Sequence, residues 1–232
     1  MALTSPRQVT SGYYRTYLYV LLGLAVLATM VAFGVRDSLA LGPPLSAAIL
    51  SYAGSVLWLY EKPRAGIVAL ALLSAVNLWG AWQATDWRHA DGALGTALCA
   101  LDLVSGGLVL GITMAAMFLG HWYLNSPGMA IGPLNRLVVL IGVAVCLRAV
   151  VEAAALALGL RTAALGSDQF LFLVLRWLSG IVGAFALAVM AYRTLKIPNT
   201  QSATGILYVC VIVTFLGELV SLLMTVRSAQ VP

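Results

Sequence analysis

The sequence predicts an all-α integral membrane protein, a bundle of seven transmembrane helices joined by short loops, with its N-terminus cytoplasmic. Two compositional facts and one pattern carry this. Hydrophobic residues make up 62% of the chain and charged residues 9%, against roughly 45–50% and about 25% in ordinary globular proteins. The mean hydropathy is +0.98, which leaves too few polar groups to coat a water-facing surface. Apolar runs long enough to cross the hydrocarbon core, about 20 residues each, recur along the whole length. Lipid accepts only internally bonded helices or closed barrels, and these runs are too long and continuous for barrel strands. Residues 1–232 therefore read as one polytopic membrane domain.

The spans fall at roughly 15–35, 42–60, 64–84, 94–122, 134–160, 168–194 and 203–226, with ends good to about 2–4 residues. The first has an apolar core longer than the 7–15 residues of a signal peptide, so it counts as a membrane helix. Arg36-Asp37 and Gly42-Pro43-Pro44 separate it from the second. Glu61-Lys62-Pro63-Arg64 is a tight turn before the third, and residues 86–91 break the third from the fourth. Asn125-Ser126-Pro127-Gly128 and Gly132-Pro133 lead into the fifth, and Gly166-Ser167-Asp168 caps the sixth. Pro198-Asn199 precedes the seventh, where Ser202 or Thr204 is a natural N-cap.

Lysine and arginine set the orientation. Arg7, Arg15, Lys62, Arg64, Arg136, Arg193 and Lys196 lie on the N-terminal side; Arg36, Arg88, Arg161 and Arg227 lie opposite. This bias makes the N-terminal side cytoplasmic and accounts for the net charge of +5 without a nucleic acid partner. Eleven arginines against two lysines, with abundant Ala, Leu and Gly, suit a GC-rich bacterial genome and hence a bacterial cytoplasmic membrane. Tyr13, Tyr14, Trp58, Tyr60, Trp82, Trp87, Trp122 and Tyr123 sit near span ends, as an interfacial aromatic belt would.

Five ionisable residues fall inside spans: Asp102, Arg148, Glu152, Arg176 and Glu218. Each costs about 2.5–3.5 kcal/mol near a helix centre and therefore wants a partner. Antiparallel helices joined by a short loop place residues equidistant from the loop at one height. Glu152 and Arg176 are twelve residues either side of position 164, so they should be level and able to pair. Asn77 and Asp102 flank the loop near 89–90 in the same way. Arg148 lies one turn from Glu152, about 6 Å deeper. Together with Glu218 these residues predict a polar layer in the outer half of the membrane, drawn from spans three to seven. Its formal charge is −1, so a proton, a cation or a ligand proton completes the set. Thr214, Glu218, Ser221 and Thr225 form one stripe on the seventh span. Arg176, Ser179, Gly180 and Gly183 form a small, polar face on the sixth; on the fourth, Asp102, Ser105 and Gly106 cluster and Gly107-x-x-x-Gly111 follows, small residues that let helix backbones approach closely. Charged pairs in lipid can also serve only to hold helices together, and the two arginines can snorkel outward.

His121 ends the fourth span, and the other histidine, His89, lies in the loop at its opposite end. One haem cannot be clamped by both. His121 can hold a haem or metal only with Met117, Met129 or a partner's residue, and the plainer role is an interfacial side chain. Retinal is excluded because Lys62 and Lys196 both lie in loops. Cys99, Cys146 and Cys210 sit in apolar runs without paired spacing, so they define neither disulfides nor a metal site. Phosphate-loop, zinc-protease and nucleophile-elbow motifs are missing. Spans one to three and five to seven share no matching prolines or polar positions, so no transporter-like repeat shows.

Two functional readings follow. In the first, the chain is a subunit of a larger membrane complex, respiratory or electron-transferring, without catalysis of its own. The polar layer would then relay protons or hold a quinone, a lipid or a cofactor beside other membrane subunits. In the second it is a stand-alone transporter or channel for a proton, cation or small solute, using the same residues. An intramembrane enzyme with His121 or a carboxylate as acid–base ranks third.

Overall fold

The computed structural model describes residues 9–35, 38–85, 87, 92–126, 128–158, 167–197 and 199–230, with the backbone alone at 38, 39, 167–169 and 225–230. Arg7, Arg36, Asp37, Arg88, His89, Pro127, Arg161, Gly166 and Pro198 lie outside that range, as do the side chains of Asp168, Thr225 and Arg227. The described residues are all-α, and seven helical spans are long and apolar enough to cross a membrane. The protein is an integral membrane protein of the seven-helix class. Its residues fall into two compact units that divide between Asp86 and Trp87.

The first unit holds α1 (Ser11–Val35), α2 (Ser38–Leu59) and α3 (Pro63–Ala84). Here α2 packs on both α1 and α3. The turn between α2 and α3 closes in a Schellman pattern: the Lys62 amide donates to the Leu57 carbonyl and the Glu61 amide to Trp58. Glu61 occupies the left-handed position, at φ 52°, where glycine is usual, and Pro63 then starts α3 at a site that needs no amide donor.

Small residues lie under large ones throughout this unit. A Cβ on Gly66 would lie 2.6 Å from Trp58, and one on Gly80 would lie 2.7 Å from Pro43. Trp58 stacks on Tyr14 with ring centroids 4.1 Å apart and planes 7° from parallel. Tyr13 meets Tyr14 edge-on. All three aromatics are buried, which corrects their assignment to an interfacial belt: they form the core, because α2 and α3 bring glycine opposite the indole. Tyr60 and Trp82 are exposed.

A second correction concerns the start of α2. Gly42-Pro43-Pro44 does not break the chain, since α2 begins at Ser38 and carries both prolines inside it. Proline already has a helical φ, and Pro43 is seated on Gly80 of the next helix. Packing outweighs the lost backbone donors.

The second unit holds α4 (Gly92–Asn125), α5 (Gly132–Ala157), a composite sixth span and α8 (Thr200–Gln230). The sixth span is built from α6 (Ser167–Arg176), a π-helical segment (Trp177–Gly183) and α7 (Ala184–Leu195). Both α4 and the sixth span pack on α5 and on α8, so the four spans close a ring. The sequence predicts one uninterrupted helix where the π segment lies. The π segment and α8 cross backbone to backbone: a Cβ on Gly217 would fall 2.4 Å from the Gly180 Cα. By contrast, Gly107 and Gly111 face open space, and the contacts of α4 are made at Gly106 and Gly120. The predicted glycine pair is on the wrong face of its helix.

The N-cap of α8 is Asn199, whose side-chain oxygen accepts from the Ser202 amide at 2.9 Å. This replaces the expected Ser202 or Thr204. The Thr204 hydroxyl donates to the Thr200 carbonyl instead and sits against Gly120 of α4.

Candidate functional site

Each of the four spans in the second unit sends at least one ionisable side chain to a common point. Asp102 comes from α4, Arg148 and Glu152 from α5, Arg176 from the end of α6, and Glu218 from α8. Arg148 is the hub. Its Nε and Nη2 donate to the two carboxylate oxygens of Glu218 at 3.0 and 2.8 Å, a forked geometry specific to guanidinium. Its Nη1 donates to Asp102 Oδ1 at 2.7 Å, to the Asp102 carbonyl at 2.8 Å and to Ser105 Oγ at 3.1 Å. Its Nη2 also lies 3.4 Å from Glu152, one turn along the same helix. Room for this hub comes from Gly106, where a Cβ would stand 2.8 Å from Glu218 Oε2.

Arg176 completes the set. Its Nη2 pairs with Glu152 Oε1 and lies 3.7 Å from Asp102 Oδ1. Its Nη1 is buried without a hydrogen-bond partner. The level pairing of Glu152 with Arg176 that loop symmetry predicts is thus present. Arg148, Arg176 and Glu152 are all buried, with at most 3% of each side chain exposed. Neither arginine snorkels: the carboxylates inside the ring hold them. Asp102 and Glu218 keep 29% and 19% of their side chains exposed. Among the described residues the cluster sets three carboxylates against two guanidiniums.

The remaining predicted residues are placed differently. Thr214 is buried, but its hydroxyl donates to the Cys210 carbonyl on its own helix at 2.7 Å. Ser221 is buried on α8. Asn77 belongs to the first unit, where its Nδ2 donates to the Leu73 carbonyl one turn earlier. Ser105, expected beside Asp102 and Gly106 on one face of α4, joins the cluster by accepting from Arg148 Nη1.

His121 lies nineteen residues from Asp102 along α4, about 28 Å at the helical rise. It is exposed, and its Nδ1 is 3.1 Å from the Tyr208 hydroxyl of α8. Among the described residues no group of three or more His, Cys, Asp or Glu is arranged to hold a metal ion. Lys62 lies in the α2–α3 turn, and Lys196 follows α7 with its ammonium 5.0 Å above the Tyr192 ring. No known protein family, curated protein or solved structure matches this chain.

Proposed function

We propose that the protein is a proton-handling subunit of a larger membrane assembly, set in a bacterial cytoplasmic membrane with its N-terminus inside, and that the five-residue cluster takes up and passes on one proton. The observation that carries this reading is a buried network of five ionisable side chains that reaches partial exposure at two carboxylates. Arg148 and Arg176 tie Asp102, Glu152 and Glu218 together across four spans. Buried ionisable groups in a membrane are expensive to keep and mark proton and ion paths. Asp102 and Glu218, the two partly exposed carboxylates, are the entry and exit candidates. A subunit role is supported by the division of the chain. The first unit buries aromatic and small residues and offers long apolar faces to lipid or to neighbouring subunits, while the second carries the five ionisable residues of the cluster.

The test is proton uptake by the full chain in lipid vesicles, read from the infrared carbonyl stretch of a protonated carboxyl as pH is lowered. One carboxyl equivalent should protonate in the wild type. Asp102→Asn removes the more exposed of the two candidate carboxylates and should abolish the uptake. An unchanged band in that variant, or no band in the wild type, refutes the reading. Purification in mild detergent with mass spectrometry of co-eluting chains tests the subunit assignment.

The partial exposure of Asp102 and Glu218 favours one second reading, a stand-alone proton or cation transporter. It requires flux through vesicles containing this chain alone.

A further inference from the structure

The two guanidiniums of the cluster are used to different degrees. Arg148 donates through all three of its nitrogens, to Glu218, Asp102 and Ser105. Arg176 is equally buried, at 2% exposed, but its Nη1 has no hydrogen-bond partner. The next residue repeats the pattern: the Trp177 indole Nε1 is buried and also without a partner. Two consecutive side chains therefore carry unused N–H donors where α6 gives way to the π segment. A buried donor left unpaired bears its full desolvation cost, and an acceptor brought to it from outside the chain recovers that cost. π segments within α-helices frequently mark functional sites.

The bundle is open beside these donors. The sixth span packs on α8 through all three of its parts, whereas it packs on α5 through the π segment and α7 and not through α6. Beyond Arg176 toward the outer end, α6 thus stands away from α5, and the Arg176–Glu152 pair bridges them. Asp102, whose Oδ1 lies 3.7 Å from Arg176 Nη2, keeps 29% of its side chain exposed, so the cluster is reached from outside the bundle beside this arginine. Val174, Leu175 and Leu178 turn apolar surface outward around the donors, so a molecule that reaches them comes through lipid.

The neighbours of Nη1 set the chemistry of its acceptor. Nη2 of the same guanidinium is bonded to Glu152 and close to Asp102. An anion placed on Nη1 would stand near both carboxylates and be repelled. A neutral carbonyl oxygen accepts without that repulsion. Depth narrows the class further. Arg176 is nine residues in from the start of α6, about 14 Å at the helical rise, near the half-thickness of a hydrocarbon core about 30 Å across. The ester carbonyls of a phospholipid are held at the edge of that core. A quinone is neutral, dissolves in lipid and carries its carbonyl oxygens on a flat ring. We propose that Arg176 Nη1 and Trp177 Nε1 form a binding site for the carbonyl end of a membrane quinone, which enters between the outer halves of spans five and six. Arg176 keeps its pair with Glu152 through Nη2 while Nη1 takes the ligand, so binding breaks no contact of the cluster. This goes beyond the proton-handling reading and stands without it, because it concerns donors on the sixth span and not protons on carboxylates.

The experiment is solid-state magnetic resonance on the full chain, ¹⁵N-labelled at arginine and tryptophan, in bilayers of diether phospholipid, which has no ester carbonyl. The probe is a prenylated naphthoquinone ¹³C-labelled at its carbonyl carbons. Arg176 is identified by the signal lost in Arg176→Lys, which keeps a cation beside Glu152. Its guanidinium nitrogen should couple to the quinone carbonyl carbon, and the Trp177 indole proton should shift downfield on quinone addition. Trp177→Phe removes one donor and keeps an aromatic ring. It should weaken quinone affinity about three- to tenfold, with the Arg176–carbonyl coupling retained at saturation. No coupling from Arg176 to the quinone at saturation overturns the proposal. An affinity unchanged in Trp177→Phe overturns the part given to the indole. A second sample, in diester lipid ¹³C-labelled at its carbonyls, tests the competing source: a coupling of Arg176 to the lipid carbonyl that persists when quinone is added overturns the assignment to a quinone.

Discussion

The two units of this chain solve the same problem, holding helices together in lipid, with different chemistry. The first unit places indole and phenol rings on glycine and alanine, with Trp58 stacked on Tyr14 and resting on Gly66. The second unit ties its four spans around Arg148 and Arg176 with charge-assisted hydrogen bonds. Lipid tails are as apolar as leucine, so neither unit gains from hydrophobic burial between helices. The first relies on close contact, which tolerates any side chain of suitable shape. The second relies on charge pairing, which fails if a single member is lost, because the remaining ions stay buried.

That contrast can be broken in three places. The largest effect should come from Arg148→Met, which removes the hub with its forked bond to Glu218 and its bonds to Asp102. Loss of one side of a buried ion pair costs about 3–5 kcal/mol, and denaturation by a strong detergent, followed through tryptophan fluorescence, should report a loss of that order. A loss under about 1 kcal/mol would mean that the carboxylates are already neutral or solvated. Glu152→Gln should cost about half as much, since the amide still offers Arg176 an acceptor and Asp102 remains at 3.7 Å. Adding Arg176→Gln should restore part of the stability, because the stranded cation is then gone. A double variant no more stable than the single one would show that the pair is not coupled. The smallest effect belongs to the first unit. Trp58→Phe keeps an aromatic face on Tyr14 and should cost under about 1.5 kcal/mol, with the infrared carboxyl band of the second unit unmoved.

How far the sequence could be read depended on what kind of signal each feature leaves. The seven spans were legible because hydropathy is a property of whole segments, and their number and order agree with the structure. The Glu152–Arg176 pair was legible because a short loop fixes relative height. The hub was not. Arg148 sits a full turn deeper than Glu152, and its height along α5 gave no hint of its partners. An arginine side chain spans more than one helical turn, so residues at different heights can still meet. The five ionisable members of the layer were readable, but not the division of labour between its two cations. The π segment left no trace in hydropathy, since it changes only the hydrogen-bond register of an apolar run. Gly106 was legible beside Asp102 and Ser105, whereas the Gly107–Gly111 spacing identifies a face without saying which way it points. Pro43-Pro44 looked like a break by local chemistry, and its seat on Gly80 depends on a contact more than thirty residues away.

The crossing of Gly180 with Gly217 has a consequence for tracing this protein's ancestry. Every other amino acid adds a Cβ, and at Gly217 that atom would fall on backbone instead of on a side chain able to swing aside. Neither position can drift alone while the helices keep their separation. Glycine at both should therefore outlast most of the apolar sequence around it, where one aliphatic residue readily replaces another. Arg176-x-x-x-Gly180 on one span and Gly217-Glu218 on the next join this crossing to the charged cluster. With Arg148-x-x-x-Glu152 they form a short signature by which distant kin of this chain could be recognised after overall similarity has faded.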